Sequence, residues 1–207
     1  MSKISLFVMT EKGFEVTKRI ASVVPNLISL VVIGKDSNIQ NDFSNEIAKF
    51  CEEQSLKYVF RGEQESIDKE TYIFSISWRW MINHPKNRLI VFHDSLLPKY
   101  RGFAPLVNML INGEDTIGVS AIFGTLEYDR GEIIGQRSTK ISYPIKISEA
   151  IRINNKNFLE LAEEVATKIS ESSDLTSYPQ NEEEASYSIW RDFEDYFVDW
   201  SKSSEEI

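Results

Sequence analysis

Apolar runs of strand length alternate along this chain with segments whose apolar residues recur at helical spacing. Residues 4–9 (ISLFVM) read as a strand, 14–24 as a helix, 28–34 (ISLVVIG) as a strand and about 41–54 as a helix. Further strands are predicted at 57–60, 72–77 and 89–93, rich in β-branched and apolar residues, as suits strands covered on both faces. Pro105 opens a short helix that Gly113 ends, because proline is preorganised for a first helical turn and glycine for a C-terminal cap. Two more strands follow, TIGVSAIFGTLE and EIIGQRSTKI, joined by a turn at Asp129, Arg130 and Gly131 in which the glycine supplies permissive dihedrals. Ile151, Phe158, Leu161, Ala162, Val165 and Ile169 then mark one long helix over 148–170. This rhythm predicts an α/β fold, a doubly wound and mostly parallel sheet.

Composition changes the picture mainly at the C-terminus. The chain has 207 residues, 42% of them hydrophobic, enough for one sizeable core. Residues 171–207 hold eleven acids against two bases, which accounts for the whole net charge of -9. We therefore divide the chain into a core, 1–175, and a small extension, 176–207. The extension is acidic yet too aromatic for a solvated tail, with Tyr187, Trp190, Phe193, Tyr196, Phe197 and Trp200, and is expected to pack on the core. A neutral body with an acidic end lacks the basic footprint of a nucleic-acid binder. Cys51 is the only cysteine and reads as a packing residue of a helix, in keeping with a reducing, cytoplasmic setting. No run approaches membrane-spanning length, and no secretory signal pattern opens the chain.

Several chemistries lack their motifs. TEKGFEV after the first strand has one glycine where a dinucleotide fingerprint has three, and there is no Walker-type phosphate loop. Two histidines, one cysteine and no close ligand spacing argue against a metal site. No small-residue elbow surrounds a serine. What remains is His93, at the C-terminal end of an apolar strand where open parallel sheets place functional groups. Position alone supports a functional histidine and a strand-capping one about equally.

The segment HDSLLPKYRGFAPLVNMLINGEDTIGVS, followed by EYDRGEIIGQ, resembles the core of folate-dependent formyltransferases: a histidine, Ser-Leu-Leu-Pro, Arg-Gly and later Asp-x-Gly. The resemblance is good over about 72–140 and returns in ASYSIWRDFEDYFVDWS. It implies the formyltransferase fold with N10-formyltetrahydrofolate as donor, attacked at its formyl carbon by an amine. It also implies that His93 holds the oxyanion and exchanges a proton while Asp129 orients it and helps remove the amine proton through water. The alternative for Asp129 is an ordinary turn aspartate.

One departure stands out. The family usually carries an asparagine two residues before the histidine, on the same strand face, and this chain has Val91 there. Losing one preorganised oxyanion donor costs about 2.7–4 kcal/mol. Either another donor such as Asn108, Ser75 or Ser77 substitutes, or His93 works slowly alone, or the protein binds without catalysing.

The resemblance further implies a pterin site on the loops 78–82 and 124–129, with Trp80, Ile82, Gly124, Thr125 and Leu126 as folate-binding candidates. Trp78 and Trp80 either shape that site or pack in the core. The tail YSIWRDFEDYFVDW looks like that of formyltransferases acting on nucleotide-linked amino sugars, such as those feeding lipopolysaccharide O-antigen. Methionyl-tRNA formyltransferases instead append a nucleic-acid-binding domain. Under this reading Lys12 and Arg101 contact diphosphate, while Tyr187 or Trp190 stacks on a base or sugar. Each has a structural alternative: Lys12 solvated at a helix start, Arg101 bracing its loop, Trp190 anchoring the tail. A homodimer is expected from similar enzymes. A formyltetrahydrofolate hydrolase is the remaining option and normally carries a further regulatory domain.

Overall fold

A computed structural model describes residues 2–39, 41–64, 66–171 and 175–204; residues 205–207 of the expected extension lie outside the described residues. In chain order the elements are β1 (Ile4–Val8), α1 (Thr10–Val23), β2 (Ile28–Ile33), α2 (Ser44–Glu53), β3 (Tyr58–Phe60), β4 (Tyr72–Ile76), β5 (Leu89–His93) and β6 (Arg101–Gly102). They continue with α3 (Pro105–Ile111), β7 (Thr116–Phe123), β8 (Ile133–Lys140), α4 (Ile147–Ser170) and β9 (Tyr187–Ser188). A seven-stranded sheet runs β3-β2-β1-β4-β5-β7-β8. Its first five strands are parallel, and β7 and β8 pair antiparallel beyond β5. This is the α/β, mostly parallel architecture that the alternation of elements predicts.

Strand alternation sorts the core into two layers. Leu6, Val8, Phe74, Ile76, Ile90 and Phe92 project to one face, where Val16 and Ile20 of α1, Ile47 and Cys51 of α2, and Phe158, Leu161 and Val165 of α4 cover them. Cys51 is fully buried there, and burial pushes its thiol up to about 12, so it packs as expected. Phe7, Val32, Ile73 and Leu89 project to the other face, which Trp78, Ile82 and Ile67 close. Val91 and His93 follow Leu89 on that second face by the period of two.

Element ends differ from the sequence pattern where backbone sterics intervene. The second helix starts at Ser44 and not at 41, because Phe43 sits at φ 58° and cannot join a right-handed helix. Ser77, at φ 52°, ends β4 one residue early. The turn before β8 reverses an expectation: the positive φ falls on Asp129 (57°), and Gly131 is required by space instead of by dihedral. A Cβ on Gly131 would lie 1.7 Å from the carbonyl oxygen of Phe123. The two-residue pairing of β6 with β9 was not foreseen, because strands that short leave no periodicity.

The space around Gly131 makes a prediction. Gly131→Ala must displace backbone, so it should destabilise the protein by about 1–3 kcal/mol or more, read as a lower Tm in thermal unfolding. A variant melting with the parent would refute the close approach.

Candidate active site

His93 ends β5, the strand at which the sheet changes from parallel to antiparallel pairing. The loop after it is stapled to the neighbouring strands. Ser120 of β7, the register partner of His93, accepts a hydrogen bond from the Leu97 amide (3.0 Å) and from Gln136 Nε2 (2.8 Å), and donates to the Ser95 carbonyl (2.7 Å). Ser95 closes the loop on itself by donating to the Lys99 carbonyl at 2.6 Å. The Ser-Leu-Leu-Pro run thus acts as a rigid arch that returns the chain to Tyr100 beside the histidine.

The histidine is buried, with both ring nitrogens engaged. Nε2 lies 2.8 Å from the Tyr100 carbonyl, and Nδ1 lies 3.5 Å from Asp129 Oδ1. A carbonyl only accepts, so Nε2 carries a proton and donates. Nδ1 is then bare in the neutral ring and a donor only in the imidazolium. At 3.5 Å the gap to Asp129 is longer than a good hydrogen bond, so the carboxylate faces that edge without saturating it. The other carboxylate oxygen of Asp129 accepts the Gly102 amide at 2.9 Å. The structure therefore brings the two residues singled out by sequence together, from positions 36 residues apart in the chain (93 and 129).

Val91 lies half-buried between two apolar groups, one containing Trp78 and Ile82, the other Leu97, Ile122 and Ile133. Of the three substitutes considered for a donor there, Asn108 is excluded. Its amide donates to the carbonyls of Ala104 (2.9 Å) and Ile189 (3.2 Å), and its oxygen accepts from Arg191 (2.8 Å). Ser75 is the register partner of Val91, is buried, and among the described residues its hydroxyl has no protein partner. Ser77 instead lines a cleft of about 330 Å³ with Thr10, Lys12, Asp94, Ala104 and Asn154.

That cleft begins one residue beyond His93, yet neither His93 nor Asp129 lines it. Lys12 spans it to grip Asp94, with Nζ 2.6 Å and 2.5 Å from the two carboxylate oxygens. Lys12 is therefore an ion-paired wall residue, not a solvated one. Asn154 is 1% exposed, and its Oδ1 has no partner among the described residues.

Arg101 departs most from expectation. It is 0% exposed, and its guanidinium faces protein on every side. Nε and one terminal nitrogen donate to Gln180 Oε1 (3.1 and 2.7 Å), both terminal nitrogens donate to Glu182 (2.9 Å each), and the last proton points to the Tyr187 hydroxyl (3.4 Å). All five N–H donors are spent, so nothing is left for a diphosphate. Arg101 clamps the C-terminal segment to the loop after β5. It braces its loop as the alternative foresaw, but through side chains of the tail and not through carbonyls.

The tail docks by polar contacts rather than by its aromatic rings. Tyr178 exchanges backbone hydrogen bonds with Ile133, the Ser186 hydroxyl accepts the Tyr100 amide, and β9 pairs with β6. Beyond Arg191 the expected packing fails: Phe193, Phe197 and Trp200 remain exposed, Trp200 at 84%, and Phe193 and Phe197 pack mainly on each other. Tyr187 and Trp190 keep exposed rings; Trp190 stands edge-on to Phe103 at 5.2 Å, next in sequence to the Ala104 rim of the cleft.

The loop candidates divide as well. Trp80 packs over Gly34, edge-on to Trp78 at 5.0 Å, with the Arg61 guanidinium 4.2 Å from its ring. Trp78 packs edge-on to Phe7 at 5.0 Å. Gly124 is buried and its amide donates to the Leu89 carbonyl at 2.8 Å, while Thr125 and Leu126 are exposed. Sequence reading missed Tyr100, Gly102, Gln180 and Glu182. The available signal was the polar cluster PQNEEE just ahead of the aromatic tail, but no spacing rule connects it to residue 101.

Residues 77–157 match the family model described as Formyl transferase. A methionyl-tRNA formyltransferase of Alkaliphilus oremlandii is 31% identical over 126 residues, covering 59% of this chain and 39% of that protein, so the match spans well under two thirds of the relative's length. Among solved structures, WlaRD, a sugar 3N-formyl transferase determined with dTDP and 5-N-formyl-THF, superposes with a TM-score of 0.78 at 22% identity, over 100% of this chain and 76% of that one. The N-formyltransferase of Helicobacter canadensis, in complex with folinic acid and dTDP-3-aminofucose, gives 0.77 at 18% identity, over 100% and 78%. The chain has the formyltransferase fold, and its central stretch carries the formyl transferase sequence pattern. No helix among the described residues is long and apolar enough to cross a membrane.

The clamp should respond to acid. Hydrogen bonds from Arg101, then its charge, hold the Glu182 carboxyl below the ordinary glutamate range. A depressed carboxyl contributes stability above its unfolded value and loses it as pH falls through the folded value. Amide hydrogen exchange at Arg101 and Ser188 should therefore quicken as pH drops below the ordinary glutamate range, after correction for intrinsic exchange. Glu182→Gln should abolish that dependence; an unchanged profile would mean the carboxylate is not the clamp.

Proposed function

We propose that this protein transfers a formyl group from N10-formyltetrahydrofolate to the amine of a nucleotide-linked aminodeoxy sugar. The observation that carries the reading is the buried His93–Asp129 pair at the switch of the sheet, with one imidazole edge held by a carbonyl and the other facing the carboxylate. The family pattern over 77–157 supports formyl transfer. The folate ligands of the two structural neighbours support the donor, and the dTDP ligands in the same structures support the sugar-nucleotide acceptor.

In this mechanism the pterin lies against the loops 78–82 and 124–129, presenting its formyl carbon beside Nδ1 of His93. Trp80 and Ile82 then act by fixing the first loop, and Thr125 and Leu126 by exposed contacts on the second. The acceptor amine attacks, the carbonyl oxygen becomes an oxyanion, and the His93 Nδ1–H donates to it. Asp129 faces the same edge and takes the amine proton through a water as the tetrahedral intermediate forms. Collapse returns a proton to N10 of the folate and leaves the formamide. The sugar occupies the cleft beside Asp94, where Lys12 meets its phosphate side, and the exposed rings of Tyr187 and Trp190 offer stacking faces for the base. A homodimer in the cytoplasm is part of the proposal.

Val91 favours a second reading, a homologue that binds folate and a sugar nucleotide without turnover. Its isopropyl group has no hydrogen-bonding atom, and it packs between two apolar groups. Ser75, free and in register with it, is the donor by which the enzyme reading survives.

Single-turnover assays with formyltetrahydrofolate and dTDP-amino sugars should show transfer that falls at least about a hundredfold in His93→Ala. Binding of both ligands by calorimetry with no transfer to any amine would establish the second reading. Ser75→Ala should lower kcat by about a hundredfold at little change in KM. Full activity in that variant would remove Ser75 from the oxyanion site.

A further inference from the structure

Asp129 is poorly held by its own loop. It takes a left-handed backbone conformation (φ 57°), and Thr125 to Tyr128 before it are exposed, Tyr128 at 75%. A carboxylate facing an imidazole is useful only if its backbone stays within a fraction of an ångström of one position. Apolar packing does not supply that restraint here, so hydrogen bonds must.

They come from the tail. Gln180 Nε2 donates to the main-chain carbonyls of both Asp129 and Gly131, each at 2.8 Å. Its amide oxygen accepts twice from Arg101. A guanidinium only donates and a carbonyl only accepts, so this amide has one permitted orientation and cannot flip. Arg101 is flanked by the two residues that touch the pair directly: the Tyr100 carbonyl accepts from His93 Nε2 at 2.8 Å, and the Gly102 amide donates to Asp129 Oδ2 at 2.9 Å. Residues 100–102 thus hold the histidine by one carbonyl and the carboxylate by one amide, and reach the carboxylate's backbone through Gln180.

We infer that Gln180 is a positioning residue: held by the buried Arg101, its amide fixes the backbone of Asp129 and so sets the carboxylate against His93. The C-terminal segment is by this account a working part of the site, although none of its residues in this relay touches a reacting atom. The inference rests on the formyl-transfer reading, since it gives the His93–Asp129 geometry its purpose.

The direct test is Gln180→Glu, which keeps the shape and an acceptor for Arg101 but presents no N–H to the two carbonyls. Gln180→Ala, which buries no new charge, serves if the first variant fails to fold. Two readouts are taken, formyl transfer in single turnover and the imidazole nitrogen resonances of His93. With two histidines in the chain, comparison with His84→Gln assigns those resonances. The expected result is a loss of about ten- to a hundredfold in transfer at an unchanged KM for the folate, with a shifted His93 Nδ1 resonance. Placed on Asp129→Asn, the same change should cost no more than about twofold, because Gln180 acts through Asp129. An equal loss on both backgrounds, or an unmoved Nδ1 resonance, would overturn the inference. If the parent protein transfers no formyl group at all, the functional reading fails, and the resonance still decides whether Gln180 sets the pair.

Discussion

A guanidinium with no exposure to water is costly unless every donor finds an acceptor, and Arg101 meets that condition through the C-terminal segment. Desolvating such an ion costs several kcal/mol, recovered only when its geometry is fully satisfied. The acceptors are Gln180, Glu182 and Tyr187, all from one short stretch near the C-terminus. The requirement to satisfy Arg101 therefore draws the tail back across the molecule to the loop after β5. Because Glu182 is itself half-exposed, water screens the ion pair, and its Coulombic contribution is modest. Undocking the tail would leave this buried cation without the acceptors that satisfy it.

That docking orders the rest. It sets β9 on β6, places Gln180 under the Asp129 loop, and puts Trp190 beside Phe103 near the rim of the cleft. The arch from Ser95 to Tyr100 performs the complementary task for the histidine, returning a carbonyl to Nε2 and leaving Nδ1 facing Asp129. Each half of the pair is thus held from behind by main-chain groups, so that the two side chains face each other. Val91 then stands out as an apolar group on the strand face where the folate reading would welcome a donor, with the Ser75 hydroxyl beside it.

Much of this was legible without coordinates. The mostly parallel α/β class follows from the alternation of buried strands and amphipathic helices, and His93 at a strand end followed by Ser-Leu-Leu-Pro marked the candidate site. Asp129 was legible through the resemblance of EYDRGEIIGQ to the Asp-x-Gly pattern, although the reason for its glycine, space and not dihedral freedom, was not. These are local properties, in which a periodicity, a turn or a short ordered run constrains its own segment.

The role of Arg101 was not local. A charged residue in a loop reads from sequence as a ligand contact or a surface brace, and the difference is whether water reaches it, which depends on a segment some eighty residues away. The same applies to Lys12, whose solvated alternative gives way to an ion pair with Asp94, and to Asn108, read as a spare donor and found spent on the tail. The tail's aromatic rings misled in the other direction: their composition suggested packing, whereas the contacts that dock it are polar and the outer rings stay exposed. Sequence alone determined the fold, the strand end and the pair of residues that face each other. Only the tertiary structure decided which polar groups were already satisfied, because hydrogen-bond saturation is a property of three-dimensional neighbourhoods and leaves no periodic trace along the chain.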